Sequence, residues 1–258
     1  MTFRAVEVLN NVTIIGAEDT RVSKILLNKY NIITQVQSYH KFNERKRTAD
    51  FIDTLNSGED IAVISDAGTP GISDPALVII NRAIEENIKI DVLPGATSLI
   101  PAILQSGFYQ SGFYFYGYLP DKKQQRKKVL QNLRYLDVPL ILFTAPHDLI
   151  EVLRIAYEIM GDRKTTVCRE LSKLHETIYR EKLSFLAEHP EMITLKGEFV
   201  LVLDAGEKEK IDLNTAVELL KKYIRSGISR KESVKLVVKE TGFPRNKVYE
   251  MSLEIDDN

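Results

Sequence analysis

Apolar positions in the first half of the chain switch between two periods. Spacings of three and four predict helices over residues 2–10, 21–29, 75–86 and 98–105, with a further helix ending near Gly58. Short apolar runs predict strands over 12–17, 61–64 and 89–93 and an aromatic strand over 113–118. Alternation of this kind specifies a mostly parallel sheet flanked by helices. Pro120-Asp121 with the basic run after it reads as a linker, and a second α/β unit follows: helices over 125–136 and 149–160, strands over 140–144, 165–169 and 199–203. Beyond Gly206 the chain turns polar and helical. Asn214 reads as a cap for a helix with Ala216, Leu219, Leu220, Tyr223 and Ile224 at helical spacing. Ser229 and Glu232 form a capping box for the next helix, Gly242 lies past its end, and Pro244 opens a last turn. The expected organisation is therefore two α/β domains, residues 1–118 and 119–206, and a small helical bundle over 207–258.

The run from Ile61 to Ile64 ends in Ser65-Asp66-Ala67-Gly68-Thr69-Pro70-Gly71-Ile72-Ser73-Asp74-Pro75. Gly68 and Gly71 let the backbone bend and approach a ligand without a Cβ in the way. Asp74 as N-cap and Pro75 at the first helical position open a helix whose free N–H groups face the loop. At the carboxyl end of a parallel sheet such a loop binds ligands, although taken alone it also reads as an ordinary strand-to-helix turn.

Composition narrows the classes. With 44% apolar residues, 258 residues bury a sizeable core, and no run reaches the roughly 18 residues of a membrane helix. The lone Cys168 excludes an intrachain disulfide and a cysteine zinc site, and His40, His147, His175 and His189 are too scattered for a local metal motif. A cytoplasmic protein without a metal is expected. Net charge is −1, yet Lys122, Lys123, Arg126, Lys127 and Lys128 cluster after Asp121, and a second basic cluster runs from Lys221 to Lys247. Segregated basic surfaces on a near-neutral chain suit a polyanion, while each cluster alone also reads as a solvated face.

Four segments stand in order along the chain: Gly16-Ala17-Glu18-Asp19-Thr20-Arg21, the loop from Asp66 to Pro75, Leu93-Pro94-Gly95-Ala96-Thr97-Ser98, and Arg169-Glu170-Leu171-Ser172-Lys173 with His175-Glu176 just after. With Tyr39-His40, Asn43-Glu44 and Tyr116-Gly117-Tyr118-Leu119-Pro120, they make the chain resemble the 16S ribosomal RNA cytidine 2′-O-methyltransferases of the tetrapyrrole methylase superfamily. The resemblance spans nearly the whole chain. It implies two α/β domains with S-adenosyl-L-methionine in the cleft between them, a ribose hydroxyl in the decoding region of 16S rRNA or the 30S subunit as target, and no membrane partner. Two departures stand out. Met1-Thr2-Phe3-Arg4-Ala5 matches the segment just downstream of the family's first strand and Gly-containing loop, so that strand is expected to be missing and a homodimer to cover the open edge; Ala76 replaces a usual Gly.

The resemblance carries cofactor contact onto Asp66, Gly68, Thr69, Pro70, Ile72, Thr97 and Ser98, with Ala145 and Pro146 near the adenine. Thr97 and Ser98 also read as helix caps. A ribose hydroxyl is a poor nucleophile, so a base or a charge-stabilising neighbour is required. Glu18, Asp19 and Arg21 end one expected strand and begin a helix; Glu170 and Lys173 end another, beside Arg169. Asp19 also reads as an N-cap, and Arg169, Glu170 and Lys173 as a surface ion pair. His40, Asn43 and Arg45, with Lys122, Lys123, Lys127 and Lys128, are the candidate RNA contacts. The carboxyl-terminal helices fit an RNA-orienting or dimer-supporting role, and a helix-turn-helix is the other reading. Methylation of a tetrapyrrole or other small metabolite, and a catalytically silent RNA-binding factor, remain the competing functions.

Overall fold

The computed structural model describes residues 1–206, 213–241 and 243–255. The chain divides into two compact units, Met1–Asp204 and Ala205–Asn258, and the first contains two sheets.

The first sheet has three strands in the order β2-β1-β3, all parallel: β1 Ile14–Ala17, β2 Gln35–Ser38 and β3 Ile61–Ile64. Ile14-Ile15-Gly16-Ala17 takes the centre, paired on both edges, with Ile15, Gly16 and Ala17 buried. The crossovers are α2 (Thr20–Lys29) and α3 (Glu44–Asn56), and α1 (Phe3–Asn11) precedes the sheet, its first turn capped by the Thr2 hydroxyl. At the centre Gly16 is obligatory by packing: a Cβ there would stand 2.8 Å from the Phe51 ring. Strand β2 had no apolar-run signature, because Gln35, Gln37 and Ser38 sit on an edge where only Val36 meets the core.

Two expectations about strands are corrected. Residues 89–93 form no strand; α4 (Ala76–Glu85) leads to an unladdered segment with Ile90 and Val92 exposed, and then α5 (Leu99–Ser106). Apolar alternation makes a strand only where a neighbour offers backbone partners, and β3 pairs only with β1 among the described residues. The aromatic strand β4 (Tyr114–Tyr118), assigned from the sequence to the first half, pairs with β5 of the second sheet.

The second sheet runs β4-β5-β8-β6-β7, with β5 Leu140–Thr144, β6 Lys164–Arg169, β7 Thr177–Lys182 and β8 Phe199–Leu203. Only the β4–β5 pair is parallel. Its main core joins Leu140, Leu142, Leu201 and Leu203 to α7 (Leu149–Met160) and to α8 (Leu183–Glu188), a helix that the sequence reading omitted along with β7. The basic run after Pro120 is α6 (Lys123–Leu133) rather than a linker. Arg126 is buried there, donating to the Pro120 carbonyl, Asp148 and Glu151, which removes it from the solvent-facing charge.

The second unit holds α9 (Leu213–Arg225), α10 (Arg230–Thr241) and α11 (Arg245–Leu253) around Ala216, Leu220, Val234, Val237 and Val248. The Ser229 hydroxyl accepts from the Glu232 amide, while the Glu232 carboxylate pairs with Lys235 instead of closing the box. The Asn214 side chain and Gly242 lie outside the described residues.

Candidate active site

Parallel strands β1 and β3 end side by side, and their first loop residues clasp one another. The Asp19 amide donates to Asp66 Oδ1 at 3.1 Å, and the Asp66 amide to Glu18 Oε2 at 3.5 Å. Asp19 is the N-cap of α2: Oδ1 accepts from the Arg21 amide at 2.8 Å, and the Arg21 guanidinium folds back onto both carboxylate oxygens. Those bonds hold the Asp19 carboxyl at about 2. A carboxylate so stabilised is a weak base. Glu18 is shifted the other way: burial raises it, the Asp66 N–H offsets part of this, and the charges of Asp66 and Asp74 add to the rise.

The loop after β3 is built to expose backbone. Gly68, Gly71 and Ser73 all have positive φ, at 81°, 100° and 70°. Ser65 Oγ donates to the Ala67 and Gly68 carbonyls, and the Asp74 carboxylate accepts from the amides of Gly71 and Ala76. The helix proper starts at Ala76, one residue later than expected, with Asp74 Oδ1 still accepting from its first amide, that of Ala76. Thr69 Oγ1 donates to the Ala96 carbonyl at 3.3 Å, and a Cβ on Gly95 would stand 3.3 Å from that hydroxyl. The Gly68–Thr69 turn and the Gly95–Thr97 turn therefore lie against each other. Thr97 Oγ1 caps α5 by accepting from the Leu99 amide, whereas Ser98 makes no side-chain cap bond. Pro70 is half-buried and Ile72 exposed.

A Cβ on Gly117 would be 3.7 Å from the Ser73 hydroxyl, so the loop of the first sheet reaches β4 of the second. Next to Gly117, Tyr118 packs edge-on to Phe143, and burial together with the Glu198 charge pushes its phenol up. Glu198 also accepts from Lys173 at 2.8 Å, and Lys173 donates to Glu170 at 3.0 Å. The Lys173 bond leads the causes that lower the Glu170 carboxyl, and a Glu198 amide bond adds to it. Arg169 is buried and spends its guanidinium on the Lys196 and His175 carbonyls, clamping the turn that carries Glu170. Ala145 and Pro146 form the turn after β5, the Ala145 carbonyl accepting from Asp148 and Leu149 as α7 begins.

The structure thus groups Glu18, Asp19 and Arg21 with the cofactor-loop candidates, and Glu170 with Lys173. No hydrogen bond among the described residues joins the two groups. His40 lies near Glu18, and Asn43 is engaged in its own turn. Arg45 is exposed. In α6, Lys123 and Lys127 pair with Glu151 and Glu158, leaving Lys122 and Lys128 exposed without ion pairs among the described residues. Sequence reading missed Ser65, Ser73 and Glu198. Ser65 stands in the glycine loop and had a signal; Glu198 joins Lys173 across 25 positions and had none.

A glycine loop at the carboxyl ends of parallel strands, set against a second mixed sheet, is the architecture of one class of methyltransferases. The family Tetrapyrrole (Corrin/Porphyrin) Methylases matches residues 1–187, and the crystal structure of diphthine synthase superposes with a TM-score of 0.62 at 14% identity, covering 79% of this chain and 84% of that one. Ribosomal RNA small subunit methyltransferase I of Synechocystis sp. is 39% identical over 261 residues, covering 99% of this chain and 93% of its own length. The Bacillus subtilis protein of that name is 37% identical, covering 97% and 88%. The chain belongs to the ribosomal RNA small subunit methyltransferase I family of tetrapyrrole methylases, and is a methyltransferase.

Proposed function

We propose that this chain methylates the ribose 2′-hydroxyl of a cytidine in the decoding region of 16S rRNA, acting in the cytoplasm on the RNA or the 30S subunit. Similarity over nearly the whole length to relatives named ribosomal RNA small subunit methyltransferase I carries this reading.

S-adenosyl-L-methionine supplies an activated methyl group on a sulfonium, so the chain must bind, align and manage one proton. The residues present fit that ligand: the glycine turn after β3 adjoins the glycine turn before α5, leaving backbone unscreened by side chains at both, and the Ser98 hydroxyl is uncommitted to a cap. In this reading Asp66, Gly68, Thr69, Pro70, Ile72, Thr97 and Ser98 hold the amino-acid tail and ribose, and Ala145 and Pro146 flank the adenine, in a cleft between the first sheet and the second. Glu18 accepts the proton of the attacking hydroxyl, a role its raised carboxyl favours. Asp19 and Arg21 hold the Glu18–Asp66 clasp, and Lys173, oriented by Glu170, offsets developing negative charge. His40, Asn43, Arg45, Lys122, Lys123, Lys127 and Lys128 face the RNA, and residues 207–258 orient it. The working form is a homodimer; exposed Leu77, Ile84, Val92, Ile100 and Leu104 support a partner surface, and light scattering tests it.

The decisive experiment incubates the protein with 30S subunits or free 16S rRNA and methyl-labelled S-adenosylmethionine, then maps the label by nuclease digestion. Label in a 2′-O-methylcytidine supports the assignment. Label on a base, or transfer only to a small metabolite, overturns it.

A further inference from the structure

The turn over residues 39–44, between β2 and α3, is fixed by its own polar groups at nearly every position. Tyr39 is buried, stacked on Phe51 with ring centroids 5.6 Å apart, its hydroxyl bonded to Thr48 at 2.9 Å and its amide to the Ala17 carbonyl at 2.8 Å. Asn43 bridges the turn, Oδ1 accepting from the His40 amide at 2.8 Å and Nδ2 donating to the Ser38 carbonyl at 3.1 Å. The His40 carbonyl accepts from the amides of Asn43 and Glu44, and His40 Nδ1 accepts from the Phe42 amide at 3.2 Å. The result of all this anchoring is to hold one apolar ring in water: Phe42 is 95% exposed, with only the edge of the His40 imidazole beside it, centroids 6.0 Å apart.

Single exposed apolar residues are common, and Phe3 and Ile33 are as exposed as Phe42. Phe42 differs in its surroundings. The turn comes after a parallel strand at its carboxyl end, the end where Glu18 leaves β1, and its Tyr39 amide binds the carbonyl of Ala17, the residue before Glu18. Lys41, Arg45 and Lys46, its neighbours in sequence, are exposed and make no ion pair among the described residues. A rigidly presented aromatic face among free cations is the chemistry that binds single-stranded nucleic acid: the ring stacks on a base and the cations meet the flanking phosphates.

We infer that Phe42 is a stacking platform for an unpaired nucleobase of the RNA substrate, next to the nucleotide whose ribose is methylated, with Lys41, Arg45 and Lys46 receiving the adjacent phosphates. The inference rests on the RNA reading above and adds a recognition residue to it. Stacking is tolerant of base identity, so Phe42 contributes affinity and placement rather than choice of base.

The chain contains no tryptophan, so Phe42→Trp introduces a single indole reporter at the proposed contact. Its fluorescence should be quenched on titration with a single-stranded RNA oligonucleotide of the decoding region and little affected by a fully paired RNA duplex. In methyl transfer to 30S subunits, Phe42→Ala should raise KM for the subunit on the order of tenfold. Its kcat at saturating subunit and its S-adenosylmethionine affinity by calorimetry should stay near wild type, and Phe42→Trp should restore KM. An indole indifferent to RNA, together with a wild-type KM for Phe42→Ala, overturns the inference while wild-type methylation of 30S subunits leaves the proposed function standing. Failure of the wild-type protein to methylate any RNA overturns the proposed function instead, and quenching by single-stranded RNA would still support the platform.

Discussion

At the scale of single residues, two adjacent carboxylates are given opposite properties by a few bonds. Asp19 receives an amide and a guanidinium and stays ionised; Glu18 loses solvent beside Asp66 and Asp74 and holds its proton more tightly. The Asp19 carboxyl is depressed from 3.8 to about 2, so its charge stabilises the fold fully above about pH 4, and that contribution disappears as pH falls towards 2. Asp19→Asn keeps a capping oxygen but not the charge. The gap in thermal midpoint between wild type and Asp19→Asn should therefore be present at pH 6 and close between pH 4 and 2; a gap constant with pH would contradict the assignment. Glu18 behaves as a base only when ionised, so kcat/KM should rise with pH through its raised pKa. Glu18→Gln should flatten that limb and lower kcat by roughly a hundredfold without weakening cofactor binding in calorimetry. A Gln variant with a wild-type profile would take Glu18 out of the chemistry.

At the scale of elements, the loop between β3 and α4 shows why glycine stands where it does. Gly68 has a φ of +81°, which a β-branched residue resists, and a Cβ there would already touch the Ala96 carbonyl at 3.4 Å. Gly68→Val should abolish measurable S-adenosylmethionine binding in calorimetry while far-UV circular dichroism and the unfolding transition remain close to wild type. Retained binding in a folded variant would move the cofactor site elsewhere. This loop's character was legible beforehand, because Gly, Pro and Asp at fixed offsets after an apolar run encode it locally. Strand β2 was not legible. Its membership in the sheet depends on the β1 edge it lies against, and the failure of residues 89–93 to form a strand is the same effect with the sign reversed.

At the scale of the whole molecule, the basic segment after Pro120 illustrates how folding redistributes charge. Read as sequence, it offers five cations; folded, Arg126 is buried between Asp148 and Glu151, and Lys123 and Lys127 face Glu151 and Glu158. Replacing Lys122, Lys123, Lys127 and Lys128 by Ala should still weaken RNA binding. The slope of log affinity against log salt should fall by about two units rather than four, since each lost phosphate contact lowers it by about one and only two of these lysines lack a carboxylate partner. Filter binding across a salt series measures this, and an unchanged slope would leave the segment as a solvated face.

The sequence by itself determined most of the helices, the central strands, the glycine loop and the family, because periodicity, capping residues and loop glycines act over a few positions and survive in linear order; α8, only six residues long, is too short to show a helical period. Which strands pair, that β4 belongs to the second sheet, that Glu198 joins Glu170 and Lys173, and which lysines stay free were decided only by the tertiary structure. Backbone ladders, ion pairs and burial depend on what lies opposite in space, and residues such as Lys173 and Glu198 become neighbours only when the sheet that carries them has formed.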